Sequence, residues 1–252
     1  MGLLNMGNLS LDSKMKKIST LLLCTSLFSG MALADNHYIP LLYNLSTMFD
    51  FNPVKGAVKS LDTDVEENGK VTYKIAIRLA KNGCVESLDL DNVSSGHETN
   101  LKNSNGSLVG QRDGKPFSIQ LDEKCNILSK NENGEELRYS LYSNGLIKDT
   151  YYLGKKISEH FYDDNSNLIR SEFYGSGKIL SKNEISYVDK DRKPLDYKII
   201  NTSVYSEGYT ATNTCHYSEK LVPEICRVTM QSAGNPVPKP VLMTANTKVE
   251  FY

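Results

Sequence analysis

The sequence predicts a mainly β protein: an antiparallel β-meander of hairpins that forms an open or barrel-like sheet, with few helices. Three observations predict this fold class. Segments that alternate apolar and polar residues recur along the chain. Turns rich in Asn, Asp, Gly and Ser separate these segments. Four cysteines follow the predicted signal peptide, and an even number in an exported chain also predicts that disulfide bonds staple the sheet.

The first hydrophobic segment has the plan of a secretory signal peptide. Lys16-Lys17 precede an apolar run over 18–31, and the Ala-Leu-Ala sequence at 32–34 is a suitable cleavage site. A run of about 14 residues is shorter than the roughly 20 that a membrane-spanning helix needs, and a buried helix is the alternative. We therefore predict a signal peptide over 1–34, with Met15 as the true start.

Cys24 offers an alternative fate for the N-terminus, because a lipid on this residue would anchor the protein. Leu21-Leu22-Leu23 precede it, which are bulky where lipidation favours small residues. Release into the periplasm is the first expectation, and membrane association is expected only if Cys24 is lipidated.

Composition and charge exclude several classes of protein. The chain has 29 Lys+Arg and 30 Asp+Glu, and cleavage after Ala34 leaves 26 and 29. This balance lacks the basic footprint of nucleic-acid binding, so no nucleic-acid partner is expected. It also lacks the high net charge of disordered chains. The hydrophobic fraction of 39% predicts a thin core.

Two hairpins are predicted in the first part of the mature chain. Residues 71–79 alternate apolar and polar side chains, turn at Asn82-Gly83 and continue over 84–90. Residues 117–121 and 125–128 repeat the pattern, and each second strand starts at a cysteine. Between the hairpins, residues 93–114 lack either periodicity, which predicts a long loop or a poorly ordered insertion.

The second part of the chain is rich in tyrosine, with 11 of the 15 tyrosines between residues 138 and 217. Four strand ends carry an aromatic residue followed by a polar turn, near Tyr142, Tyr162, Tyr174 and Tyr187. Their irregular spacing favours a meander over a strict repeat. The rings are either half-buried with hydroxyls in water or form a sugar- or peptide-binding face, and the lack of Trp weighs against the second interpretation. We predict a single domain over 35–252, with possible subregions 48–135 and 136–252.

Signal removal leaves four cysteines, which we interpret as two disulfide bonds. Zinc binding is disfavoured because the chain has no C-x-x-C spacing. Three connectivities are possible. We favour Cys84 with Cys125 and Cys215 with Cys226, because each second strand of the two hairpins starts at a cysteine and the other pair brackets a hairpin-length segment.

No catalytic constellation is recognisable, and no catalytic residues or cofactor are predicted. The four histidines lack metal-binding spacing, and no nucleophile elbow or phosphate loop occurs. One metal site depends on cleavage after Ala34. The new terminus Asp35-Asn36-His37 could then bind Cu(II) or Ni(II) in a square plane through its amine, two amides and imidazole.

Several segments resemble the YnfC-like family of enterobacterial envelope lipoproteins, an uncharacterised group. The resemblance is specific at residues 49–59, Phe-Asp-Phe-Asn-Pro-Val-Lys-Gly-Ala-Val-Lys, and around all four mature cysteines, and it extends to Tyr252. It implies an exported protein held by a lipid on an N-terminal Cys, with no established activity and no catalytic residues to carry over. The small-residue lipidation motif of the family is absent here.

Two function classes remain open. The first is an exported envelope protein, most simply not an enzyme, that binds or scaffolds an unknown envelope partner or ligand. The alternative is a hydrolase acting on envelope glycans or peptides, which needs carboxylates or a histidine to converge in a cleft.

Overall fold

The computed structural model describes residues 37–234 and 239–252. The predicted signal peptide, with Cys24, lies outside the described residues, as do Asp35 and Asn36. The described part contains one helix and sixteen strands. They are α1 (Pro40–Phe49), β1 (Val58–Glu67), β2 (Lys70–Leu79), β3 (Val85–Asn92), β4 (His97–Ser104), β5 (Ser107–Arg112), β6 (Lys115–Leu121), β7 (Ile127–Glu132), β8 (Glu135–Leu141), β9 (Ile147–Tyr152), β10 (Lys155–Tyr162), β11 (Leu168–Gly175), β12 (Lys178–Tyr187), β13 (Tyr197–Ser203), β14 (Tyr209–Tyr217), β15 (Pro223–Ser232) and β16 (Val241–Phe251).

The sixteen strands form one closed antiparallel barrel. Each strand pairs with the next along the chain, and β16 pairs back with β1. The mainly β prediction is confirmed, and closure decides between the open and barrel-like alternatives. At the closing seam, Thr63 lies opposite Thr247, and their buried hydroxyls are 3.0 Å apart. The possible boundary after residue 135 falls within β8, which pairs with β7, so the two possible subregions share one sheet.

The turns alternate between the two ends of the barrel because consecutive strands are antiparallel. We call the end with the β1–β2, β3–β4 and later odd-to-even connections the mouth, and the other end the plug end. The plug-end turns span 80–84, 105–106, 122–126, 142–146, 163–167, 188–196 and 218–222.

Residues 37–57 form a plug inside the barrel. Pro40 opens α1, where its fixed φ suits the first turn, and Asp50 ends it in the left-handed conformation with φ 55°. Buried side chains lie all around the helix, as expected of one enclosed by the barrel wall. The chain then returns to the plug end, where Lys55 pairs with Tyr38 in an isolated bridge. The sequence analysis did not locate this helix.

Asn44 ties the helix to the wall. Its side-chain amide donates to the Gly145 carbonyl at 2.9 Å, and its side-chain oxygen accepts from the Ile147 amide at 3.0 Å. Both partners belong to the β8–β9 corner at the plug end. Because Asn44 is buried, the two bonds fix the depth and rotation of the plug.

The plug and the first half of the barrel share one apolar core. The helix packs against the inward faces of β1–β7, where leucine and isoleucine side chains are almost completely buried. The fully enclosed wall residues are Leu61, Ile77, Leu79, Leu88, Leu101, Leu108, Ile119 and Ile127. The main apolar core therefore lies between the plug and one half of the barrel wall.

The prediction of a loop over 93–114 is wrong. The segment forms β4 and β5, joined by the two-residue turn Asn105-Gly106 with positive φ at both positions. This segment lacks a clear alternation of apolar and polar residues because few of its inward-facing residues are apolar. Gly110 occupies one of the inward-facing positions. A Cβ on Gly110 would lie 1.8 Å from the Asn100 carbonyl oxygen, so the wall requires glycine at that point.

Two disulfide bonds staple the barrel. Cys84–Cys125 joins the β2–β3 and β6–β7 turns at the plug end, with the Cα atoms 5.5 Å apart. Cys215–Cys226 links directly opposed residues of β14 and β15. These are the pairs favoured from the sequence. The first bond lies next to the place where the plug enters the barrel. Ile39, which directly precedes α1, packs against Gly83 in the same turn as Cys84.

The outward face of β1–β4 is charged. Together with Lys248 of the neighbouring β16, its charged side chains line a shallow groove of about 410 Å³, and they are Asp62, Asp64, Asp89, Asp91, Glu98 and Lys74. Arg78 pairs with Asp62 at 2.9 Å on the same face. This part of the wall is suited to water rather than lipid tails.

The α1 helix is too short to cross a membrane, and no other helix of that capacity occurs among the described residues.

Candidate functional site

An open cup occupies the mouth side of the second half of the barrel. Several inward-facing residues of β11–β16 near the mouth remain partly exposed, although they point into the barrel. Phe173 shows the effect most clearly: it lies opposite Ser158 and against the His160 ring on the inner face, yet it is 38% exposed. Water therefore enters this side of the lumen. The cup residues are Phe173, Ser181, Asn183, Asn201, Tyr209, Met230 and Met243.

Asp50 lies at the floor of the cup. It is the turning point of the plug, and its side chain is exposed to the water of the lumen while the surrounding wall limits its solvation and raises its pKa. Burial raises the pKa of Tyr73, Tyr197 and Tyr209, and the Asp50 carboxylate adds to the rise at each hydroxyl. Since these tyrosines belong to β2, β13 and β14, Asp50 lies between different parts of the wall.

Side-chain amides line one side of the cup. The Asn201 amide donates to the Ser181 hydroxyl at 2.9 Å and to the Asn183 oxygen at 2.7 Å. Asn183 also lowers the pKa of the Tyr209 hydroxyl, against the larger rise that burial causes. The wall therefore presents ordered donors and acceptors on β12, β13 and β14.

A charged cluster faces inward on β5–β7. The Arg112 guanidinium contacts both carboxylate oxygens of Glu132 at 3.1 Å, and Lys130 lies 3.5 Å from the same carboxylate. The guanidinium also stacks on Phe117 at 4.5 Å and on Phe49 at 5.3 Å. The cluster covers the end of the apolar core towards the mouth with paired charges.

Most of the strand-end tyrosines lie at the plug end instead of in the cup. Tyr43 of the plug meets Tyr162 at 6.0 Å between ring centroids, and Tyr142 meets Tyr162 at 5.8 Å. Their hydroxyls do not depend on water: Tyr142 donates to the His160 carbonyl at 3.1 Å, and Tyr187 donates to the Leu168 carbonyl at 2.8 Å. These rings close the barrel around the helix. Tyr174 points outward and bonds Glu172 and Glu159.

His160 and Ser171 form a buried pair that resembles part of a nucleophilic site. The imidazole Nδ1 lies 2.8 Å from the Ser171 hydroxyl, and Nε2 lies 3.4 Å from the Ser158 hydroxyl. Burial lowers the pKa of His160 to about 4, which makes it a weak base at neutral pH. Ser171 is 3% exposed, so a substrate does not reach it. The group is a structural polar network.

Carboxylates converge on the outer wall, but they are already paired. The Lys156 ammonium bridges Asp149 and Glu159, and the Tyr174 hydroxyl contacts Glu159 and Glu172. The arrangement is that of an ion-pair network between neighbouring strands.

The structure describes only His37 of the proposed copper site. It is exposed beside a small cavity of about 220 Å³ at the plug end, which Lys55 and Asn144 also line. In the described part of the chain, no three His, Cys, Asp or Glu side chains are grouped to hold a metal ion. The sequence did not single out Asp50, Tyr73 or Asn183.

The fold and the cup define a class of protein: a β-barrel closed at one end by an N-terminal plug and open to water at the other. The model of an uncharacterised protein family, UPF0257, matches residues 15–252, and the chain belongs to this family. The predicted resemblance is thereby confirmed.

Relatives of the chain include proteins named UPF0257 lipoprotein YnfC. The one from Salmonella heidelberg strain SL476 is 28% identical, with 92% of this chain and 98% of the relative covered. The one from Salmonella paratyphi C strain RKS4594 is 26% identical over the same shares. Their lipoprotein names support the prediction of a cell-envelope protein. Among solved structures, a porin-like protein from Bacteroides uniformis is similar with a TM-score of 0.47 and 9% identity, covering 77% of this chain and 98% of that one.

Proposed function

We propose that this envelope protein is not an enzyme and binds a small neutral, polar ligand in the cup. The observation that carries the proposal is Asp50, a carboxylate held at the floor of the barrel within electrostatic reach of Tyr73 and Tyr209 and open to water. Concave sites with a few convergent polar groups are the usual places for small ligands.

The chemistry of the cup favours hydroxyl- or amide-rich ligands. Asp50 accepts hydrogen bonds, the tyrosine hydroxyls and asparagine amides both donate and accept, and the exposed Phe173 ring offers a stacking face. Arg112 and Lys130 are balanced by Glu132 and Asp50, so the lumen has no strong preference for either charge. Short neutral glycans or peptides meet these requirements.

Asp50→Asn and Tyr209→Phe are each expected to weaken ligand binding by about tenfold or more, because the first replaces a charged acceptor with a neutral amide and the second removes a hydroxyl group from the cup. Calorimetric titration with an N-acetylglucosamine oligosaccharide and with a neutral tetrapeptide measures this. Asn tolerates the left-handed conformation of residue 50, so the first variant keeps the turn.

Asp64→Asn on the outer wall and Tyr205→Phe at the mouth are the matched controls, and both should bind as the wild type does. Failure of both probes to bind, or equal binding by the cup variants and the wild type, would contradict the proposal. Release of product from either probe by the wild type, lost in Asp50→Asn, would support the hydrolase alternative instead.

We further propose that the mature protein is released into the periplasm by cleavage after Ala34. The small residues at 32 and 34 support this, and such a cut leaves the plug from His37 complete. The lipoprotein names of the relatives support the alternative, a lipid anchor on Cys24.

Intact mass spectrometry of the protein exported from a bacterial host is expected to give the mass of residues 35–252 less four hydrogens, for two disulfide bonds. A chain that starts at Cys24 and carries acyl groups would disprove release. Reduction before the measurement is the control, because it restores only the four hydrogens.

A further inference from the structure

The mouth of the barrel has two unlike halves. On the β9–β16 side, exposed apolar side chains occupy or flank each of the four turns, and we call them the apolar rim. The rim residues are Leu153, Ile179, Val204, Tyr205 and Leu242. Leu153 is 81% and Tyr205 is 80% exposed. The grouping of such residues on one side of the mouth, rather than any single one, is the informative feature.

Lysines alternate with the apolar rim. Lys155 follows Leu153, Lys178 precedes Ile179, and Lys239 precedes the strand that carries Leu242. All three are exposed, and none forms an ion pair with another described residue. Glu207 is the one acidic residue described in these four turns.

The other half of the mouth is acidic. The turns between β1 and β8 are short and polar, and eight carboxylates lie in them or within two residues of them, against Lys70, Arg112 and Lys115. Val93 is the one exposed large apolar residue in these turns. The eight are Glu66, Glu67, Asp91, Glu98, Asp113, Glu132, Glu135 and Glu136.

We propose that the apolar rim docks this half of the mouth onto an anionic lipid surface. Neighbouring mouth turns are two strands apart, about 10 Å, so the four turns extend over about 30 Å and can meet one flat surface together. Apolar tips enter the interface between head groups and acyl chains, and the alternating lysines pair with lipid phosphates. A second copy of the chain is a poorer occupant, because it would bring the same lysines against one another.

Vesicle sedimentation tests the proposal on the exported protein, expressed from a chain with Cys24→Ala so that no lipid anchor contributes. Binding to vesicles with one-third phosphatidylglycerol is expected to exceed binding to phosphatidylcholine vesicles by at least about tenfold, and to fall in about 0.5 M salt. Leu153→Ser with Tyr205→Ser should lower the partition coefficient by about tenfold or more. Lys155→Gln with Lys178→Gln should remove most of the preference for the anionic lipid.

Val93→Ser on the acidic half of the mouth and Val188→Ser at the plug end are matched controls, since both residues are exposed and apolar. Each should change binding less than twofold. Equal losses in the controls and the rim variants, or no binding of the wild type to anionic vesicles, would overturn the proposal. So would rim variants that change the sedimentation mass of the protein alone, which would assign the rim to a second copy. Unfolding curves check that each variant is folded.

Discussion

Replacing Leu42 with Ala is expected to lower the free energy of unfolding by about 3 kcal/mol, within the range of about 2–5 kcal/mol for buried leucines. Leu42 is 0% exposed and belongs to the core shared by the plug and the wall of β1–β7. Shortening its side chain removes apolar contacts and leaves a cavity that the closed wall cannot easily fill. Urea unfolding followed by circular dichroism measures the loss.

Thr47→Ala is the matched control on the same helix, because Thr47 is exposed and its hydroxyl bonds only the Tyr43 carbonyl of the preceding turn. It should change stability by less than about 0.5 kcal/mol. An equal, small effect of both substitutions would mean that the helix is not packed inside the barrel.

Lowering the pH from 6.5 towards 4 is expected to cost the protein up to about 3 kcal/mol of stability through His160 alone. Burial holds its pKa at about 4 in the folded protein, against 6.5 in an unfolded chain. The unfolded state therefore takes up the proton first, and stability that is fully present above pH 6.5 is lost as the pH falls through this window. The nearby Asp149 and Glu159 carboxylates act in the opposite direction and limit the effect.

His160→Asn isolates this contribution, since its amide can replace Nδ1 beside Ser171 and does not titrate. Unfolding curves at several pH values should show a flatter dependence for the variant between pH 6.5 and 4.5, although it is less stable at pH 7.5. Thr47→Ala, which changes no titrating group, should keep the wild-type slope. If His160→Asn and the wild type lose stability in parallel, the histidine is not buried as a neutral group.

Local patterns predicted the strands well where one face is apolar. Residues 71–90 alternate because Ile75, Ile77 and Leu79 face the core, and the Asn82-Gly83 turn separates the two strands. The same pattern fails over 93–114. There the inner face includes Gly110 and Arg112, so alternation of hydrophobicity is lost although the strands remain.

Closure and the plug depend on contacts that local patterns do not contain. The local sequence pattern of a meander is the same whether the sheet is open or closed, because only the pairing of β1 with β16 distinguishes the two. The helix was missed for another reason: Leu41, Leu42, Leu45 and Phe49 have helical spacing, but ten residues form a short helix that is stable only inside the barrel.

The cup could be predicted only in part. The high tyrosine content was evident from the sequence. Most of the tyrosines at strand ends, however, pack at the plug end and do not line the cup. Asp50 acts electrostatically on Tyr73 and Tyr209 through topology, since only the closed barrel brings β2, β14 and the plug around one lumen. Asp50 itself lies in the motif shared with the family, but its role depends on where the plug turns.

The seam between β1 and β16 also bears on how the chain folds and on how it avoids aggregation. Hairpins can form one after another as neighbours in sequence, but the last pairing joins residues from the two ends of the chain, such as Leu61 and Val249. Until it forms, two unpaired strand edges are available to other chains. Once Thr63 and Thr247 meet, no edge of the sheet remains, and protection against edge-to-edge aggregation is gained in the final step of folding.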